Sequence, residues 1–403
     1  MRRKYIFVLL ICLGLTTFST LQGSIFGAVL PSIVQELGID WSLIGTMMSV
    51  WTVISAISPF FIGKYVHSLK PLHSITAVMI VLSLPTILTF FVRNFISLNI
   101  VRIIASIMVP FSYPLAAKLV MTQISSEKRG IATAVYNTGS VIGLALAYVV
   151  VAIVNGVWRN AMIAAGLIGI IYIPVAYLLW KSFLNSRADM IEEEKQLSGV
   201  QKNIEVSPKG VYTVVVWLSL GHFAAVYTWN FMFNWLSTFL VRELQLSYGV
   251  IALSLGIMAI VSSILELSVG MWSDRMRGIK GRIIPLYAGL IPSAVLLMIV
   301  ALSSSSSMAI VLMSLSILFW RVSTPSFWAI LSDLIPPKYF ERASSIYVGA
   351  VLFSGVVSSI VNGSIVSITG SMKYAILLTS IILVFFPIFF TLGARFGYKV
   401  GRT

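Results

Sequence analysis

Residues 284–302 read IPLYAGLIPSAVLLMIVAL, an apolar stretch without a charged side chain. Coiled as an α-helix at about 1.5 Å per residue, a run of this length crosses the roughly 30 Å hydrocarbon core of a bilayer. Eleven further runs of the same kind surround it, at 5–30, 42–66, 74–93, 96–122, 130–154, 159–181, 211–240, 248–271, 308–333, 343–367 and 374–394. Together they predict an all-α membrane protein with twelve transmembrane helices. Composition agrees. Of 403 residues, 58% are hydrophobic and 10% charged, where a soluble domain has about a quarter charged, and the mean hydropathy is +0.97. A soluble enzyme is excluded, and the lipid bilayer is the expected surrounding.

The remaining charge is unevenly placed. A net charge of +15 would suit a nucleic-acid partner if it formed a surface patch. Instead the cations gather at 2–4, 64–70, 118–129, 181–209, 275–282, 338–342 and 395–402, while the alternate connections hold only Arg93, Arg159, Arg242 and Lys373. Lys and Arg concentrate in cytoplasmic loops, so both termini are expected in the cytoplasm of a multi-pass plasma-membrane protein, with no nucleic-acid partner. The basic start Met1-Arg2-Arg3-Lys4 leads into an apolar run that continues past Leu30 without a small-residue cleavage site, which reads as an uncleaved span rather than a secretory signal. The single cysteine, Cys12, excludes an internal disulfide.

One long polar segment, 182–210, carries Arg187, Asp189, Glu192, Glu193, Glu194 and Lys195 and reads as a cytoplasmic linker between an N-terminal six-helix half, 1–181, and a C-terminal one, 211–403. Two halves of six predict an internal repeat. Glu127-Lys128-Arg129 opens the fifth helix and Glu341-Arg342 the eleventh. The second span ends in Gly63-Lys64-Tyr65-Val66-His67, the eighth in Gly270-Met271-Trp272-Ser273-Asp274-Arg275-Met276-Arg277.

The pattern Gly270-x-x-x-Asp274-Arg275, followed by Arg277, Lys280 and Arg282, resembles the loop motif of the major facilitator superfamily. The resemblance implies two pseudo-symmetric six-helix halves and makes Asp274, Arg275 and Arg277 gating residues. Such a latch uses charge-assisted bonds that break when the halves rock. His67 and Ser68 stand at the corresponding positions of the first half, so the latch there is expected to be degraded or to run differently. Leu30-Pro31-Ser32-Ile33, Trp235-Leu236-Ser237-Thr238-Phe239-Leu240, and Tyr113-Pro114 with Glu127-Lys128-Arg129-Gly130 are similar to the anion:cation symporter branch. Gln22-Gly23 replace the Asp-Arg of many members of that branch, and Val109 stands where some carry a carboxylate, which puts the branch's usual proton coupling in question. Gly130, Gly139 and Gly143 begin a drug:proton antiporter signature, but Leu144 replaces its proline, and these glycines read as close helix packing.

An ionisable group at bilayer depth is costly unless it is paired, snorkels or lines water, so each one is a functional candidate. Arg102 in the fourth helix matches the arginine of a second family motif, with Ser106, Val109 and Tyr113 below it on one helical face. It either lines a cavity or caps a neighbouring helix. Arg321 in the tenth helix, with no carboxylate near it in sequence, either receives a substrate anion or bonds helix ends or Glu266. Glu266 either snorkels and supports the latch or carries a coupling proton, and His222 is either a coupling group or a packing residue. Polar stripes at helical spacing mark Ser19, Gln22 and Phe26; Thr133, Asn137 and Ser140; Tyr227, Asn230 and Asn234; and Tyr347, Ser354, Ser358 and Asn362. Of these, Gln22, Asn137, Tyr227, Asn230, Asn234 and Tyr347, with Tyr113 and Trp320, are candidate substrate contacts, the amides because they both donate and accept.

No Walker loop, Cys/His metal cluster or nucleophile triad is present in the sequence, and no cofactor is expected. The leading expectation is a monomeric transporter that binds a small organic anion, a carboxylate foremost, between its halves and alternates access by rocking them, with a coupling proton as candidate partner. The alternatives are efflux of amphipathic or cationic compounds and a receptor-like use of the fold.

Overall fold

The computed structural model describes residues 3–124, 129–188, 208–276, 279–335 and 337–400, and among these every regular element is helical. The order is α1 (Arg3–Leu37), α2 (Trp41–Ser68), α3 (Pro71–Leu88), α4 (Phe95–Ser106), α5 (Ser112–Gln123), α6 (Arg129–Ile153), α7 (Trp158–Ala188), α8 (Pro208–Asn234), α9 (Tyr248–Arg275), α10 (Ile279–Leu302), α11 (Ser306–Leu334), α12 (Pro337–Thr369), α13 (Lys373–Val384) and α14 (Phe386–Val400). Twelve helical stretches among the described residues are long and apolar enough to cross a membrane, α4 with α5 making the fourth and α13 with α14 the twelfth. Lipid offers the backbone no hydrogen-bond partner, so each span must satisfy its peptide groups within its own helix. The side chains are arranged inside out: Phe60, Phe61 and Leu302 are exposed, whereas Gln22, Arg102, Glu266 and Asn362 are buried.

Prolines shape the spans. The fourth breaks between Ser106 and Ser112, where Ile107, Met108 and Phe111 donate to Ile104, Ala105 and Met108 in a tightened turn around Pro110. A proline inside a helix removes one N–H and crowds the preceding turn. The expected continuous stripe Arg102, Ser106, Val109, Tyr113 is therefore interrupted after Ser106. In α1 the chain does not end at Pro31, as the sequence suggested, but continues to Leu37, since a membrane helix tolerates proline where neighbours supply the lost bonds. The seventh span is shorter than the expected 211–240: α8 stops at Asn234, and Thr238–Glu243 forms a separate wide turn.

By internal contacts the chain divides into two compact units, one of residues 1–39, 53–199 and 247–259, the other of 40–52, 200–246 and 260–403. In the first, α1 is the central helix and packs on α5, α6 and α7. Gly139 and Gly143 of α6 allow this, because a Cβ on either would collide with Thr16, Thr17 and Thr20 of α1. Thr16 uses the proximity to donate its hydroxyl to the Tyr136 carbonyl at 2.7 Å. Such contacts matter in lipid, where burying apolar surface gains little and an interhelical hydrogen bond contributes about 0.6 kcal/mol on average. In the second unit α8 packs on α12 and α14, and α10 on α11 and α13.

Candidate functional site

Within the second unit, Arg321 of α11 and Glu266 of α9 form an ion pair in which Arg321 Nη2 donates to Glu266 Oε2. Both are buried, at 4% and 5% exposure. The sequence left Arg321 either to receive an anion or to bond helix ends or Glu266; the bond to Glu266 is formed, with the partner 55 positions earlier in the chain, and the packing of the two helices joins them. Glu266 does not snorkel. Withdrawing two charges from a polar medium costs several kcal/mol each, which their attraction and good geometry must offset. The guanidinium also stands 5.9 Å from the ring centre of Trp229, while its Nε–H has no acceptor among the described residues. Trp229 stacks on Trp320 at 4.8 Å and 20°, and Trp320 Nε1 donates to the Ala225 carbonyl at 3.0 Å. Trp229 went unremarked in the sequence, although it lies seven residues after His222 on the same helix face.

Next to this cluster, His222 is sandwiched between Phe327 at 4.5 Å and Tyr347 at 4.7 Å, and its Nδ1 has no partner. The Tyr347 hydroxyl donates to the Phe327 carbonyl at 3.1 Å. The polar stripes of α8 and α12 meet: Tyr227 donates to Asn362 Oδ1 at 3.3 Å, Asn362 Nδ2 to Ser358 Oγ at 3.1 Å, and Ser358 Oγ back to the Tyr227 carbonyl at 3.1 Å. Asn230 is half-buried and donates to the Val226 carbonyl of its own helix at 2.9 Å, and Asn234 is half-buried at the end of α8.

In the first unit, Arg102 is 1% exposed and its guanidinium lies 4.5 Å over the ring of Phe26, a cation–π contact worth about 2 kcal/mol when desolvated. One turn before Phe26, Gln22 donates Nε2 to Ser83 Oγ of α3 at 3.0 Å and leaves its Oε1 without a partner. Tyr113 is brought instead against Tyr136, 6.2 Å away, beside the half-buried Asn137, whose carbonyl accepts from Ser140.

At the α9–α10 turn, Arg275 is exposed, while the Asp274 side chain and Arg277 lie outside the described residues. The neighbouring contacts are described. Ser273 Oγ donates to the Gly281 carbonyl at 2.7 Å, and Arg282 donates to Ser273 Oγ at 3.0 Å and to Asp333 of α11 at 2.8 Å. Asp333 was missed in sequence; it is a lone carboxylate at the end of an apolar run, shortly before Pro336-Pro337, and that position was its signal.

The model of the Major Facilitator Superfamily matches this chain over residues 12–359 and again over 218–399. The chain belongs to the Major Facilitator Superfamily. It is thus a multi-pass membrane transporter of twelve spans and not an enzyme. Among curated proteins it is similar to the Probable L-galactonate transporter of Escherichia coli (strain K12), 24% identical over 85% of this chain and 79% of that one. It is likewise similar to the Hexuronate transporter of Bacillus subtilis (strain 168), 24% identical over 91% of this chain and 89% of that one. Among solved structures, a bacterial homolog of the human lysosomal transporter Spinster, crystallised inward-facing and unoccupied, superposes with a TM-score of 0.70 at 14% identity, covering 100% of this chain and 98% of that one. That likeness concerns the fold.

Proposed function

We propose that this member of the Major Facilitator Superfamily carries a small organic anion, a carboxylate foremost, across the plasma membrane by alternating access, with both termini cytoplasmic. The observation that carries the reading is Arg321, a guanidinium buried among the membrane spans beside two tryptophans with an N–H that has no acceptor. A forked, permanently charged donor with an unused N–H in a low-dielectric setting favours a carboxylate. The names of the two curated relatives, both concerning sugar acids, point the same way, and the Trp229–Trp320 stack offers the apolar face of a sugar ring a flat partner.

In the second unit the half-buried amides Asn230 and Asn234 are the candidate contacts for hydroxyl groups; the first unit has its own buried cation, Arg102, and its own half-buried amide, Asn137. Gln22, Tyr227, Tyr347 and Trp320 use their polar atoms on neighbouring helices, and their role in this reading is to hold the shape of the site. Asp274, Arg275 and Arg277 keep the gating role that their motif implies.

The test is counterflow of radiolabelled glucuronate and galactonate in liposomes reconstituted with the purified chain. Wild type is expected to exchange at least one of them. Loss of a hydrogen bond to a charged group, about 1.5–3 kcal/mol, lowers affinity roughly 10- to 100-fold in Arg321→Ala. Uptake by Arg321→Ala equal to wild type removes Arg321 from the site. If neither acid is exchanged and the host instead gains resistance to cationic amphiphiles, the anion reading falls.

A further inference from the structure

The Arg321–Glu266 pair is electrically neutral, and an anion arriving at it meets a difficulty. If Arg321 turns its donors from Glu266 to a substrate carboxylate, Glu266 is left as a buried, uncompensated charge beside a second one. Breaking a buried pair in that way is strongly unfavourable, and two carboxylates sharing one site cannot both stay ionised at little cost. A proton removes the difficulty. We propose that Glu266 is the proton carrier of the transport cycle: by taking a proton it releases Arg321 to the substrate's carboxylate, so that one proton and one monoanion occupy the site together. This rests on the anion-carrier reading above and adds its driving force.

The step balances. One proton forms an O–H bond on Glu266; the Arg321 Nη2–H exchanges a bond to Glu266 Oε2 for one to the substrate oxygen; no net charge is added to the site. Release on the other side reverses both changes and restores the pair. The geometry is suited to this, since Arg321 already holds an Nε–H without an acceptor and can receive the anion at that nitrogen before Nη2 leaves Glu266.

Other polar and titratable groups of α8 to α14 are less suited to the task. Trp229, from α8, has no group that gains or loses a proton near neutral pH. His222, also on α8, is packed between Phe327 and Tyr347. The Tyr227 hydroxyl is bonded to Asn362 on α12 and that of Tyr287 on α10 to the Pro387 carbonyl. Arg282 and Asp333 bond each other, and Arg275, Lys280 and Arg395 are exposed.

Liposomes with an imposed pH gradient, acid outside, test the coupling with glucuronate and galactonate as probes. Wild type is expected to accumulate label above equilibrium, Glu266→Gln to lose that accumulation, and Glu266→Asp, which keeps a carboxyl, to recover part of it. Gradient-driven accumulation by Glu266→Gln at the wild-type level overturns the proposal. Absence of counterflow in wild type overturns the anion-carrier reading instead, and the switch is then decided without any solute. For that, tryptophan emission of the detergent-purified chain is followed from neutral to mildly acid pH. Freeing Arg321 beside Trp229 is expected to give a transition in wild type that Trp229→Phe, which keeps both charges, removes. No transition, or one unchanged by Trp229→Phe, overturns the proton switch whether or not either acid is carried.

Discussion

Gly45 of α2 and Gly363 of α12 meet backbone to backbone: a Cβ added to Gly45 would stand 3.1 Å from the Gly363 Cα and 2.5 Å from the Ser359 carbonyl oxygen. Ser49, one turn on, donates to the Val356 carbonyl at 3.0 Å. This crossing is why residues 40–52 group with the second unit rather than with the rest of α2. Overpacking such a contact costs about 1–3 kcal/mol. Gly363→Val is expected to lower the thermal midpoint in detergent. Gly349→Ala, on the same helix but with nothing within 4 Å of its added Cβ, is expected to leave it unchanged or raise it by up to about 1 kcal/mol through helix propensity. Equal effects of the two would show that the crossing is not close-packed.

Arg159 at the start of α7 ties three segments together. It pairs with Glu36 of α1 and donates Nη2 to the Val92 carbonyl at 2.9 Å and Nε to the Phe90 carbonyl at 3.1 Å, while Trp158 Nε1 donates to Glu36 at 2.6 Å. A lysine has the charge but not the fork. Arg159→Lys is expected to recover less than half of the stability lost in Arg159→Ala, a loss of about 1–3 kcal/mol, measured by thermal unfolding. Full recovery by lysine would mean that charge alone matters there.

The three bonds linking Tyr227, Asn362 and Ser358 should behave as a unit. Tyr227→Phe removes one donor and is expected to cost about 1 kcal/mol. Asn362→Leu strands the Tyr227 hydroxyl, while Ser358 keeps its bond to the Tyr227 carbonyl, and is expected to cost more, about 1–3 kcal/mol. The double variant should cost less than the two together, because the stranded hydroxyl is gone. Strict additivity in a thermal-unfolding cycle would separate the residues energetically.

Asp40 lies between the first two spans and caps α2. It accepts from the Ser42 hydroxyl at 2.5 Å and the Ser42 backbone N–H at 2.8 Å, and Ser367 donates to it at 3.0 Å. The Ser42 hydroxyl first, then its N–H, hold the carboxyl below its ordinary value. A carboxyl with a lowered folded value adds stability above its unfolded value and loses it as pH falls through the folded one. Stability should therefore decline on the acid side of the usual aspartate range, near pH 3.9 and below, and Asp40→Asn should flatten that part of the curve. Parallel curves for the two proteins would contradict the cap.

Much of the candidate site was legible residue by residue. Arg102, Arg321 and Glu266 stood out because charge is rare in these spans, and the stripes of α8 and α12 followed from spacing alone. The break in the fourth span was signalled by Pro110 and Pro114, yet a continuous apolar run masked it. The bonding of Glu266 to Arg321, and of Asp333 to Arg282, left no local mark, since each partner lies on a different helix some fifty positions away.

What the sequence alone determined is that this chain crosses a membrane twelve times as helices and belongs with the transporters. Hydrophobic length is a local property, and lipid admits one local answer to it. Tertiary structure decided which buried charges are partners. The period of a helix says which side chains share a face but not which helix that face meets, so Glu266 stayed one of several candidate partners for Arg321 until α9 and α11 were packed together.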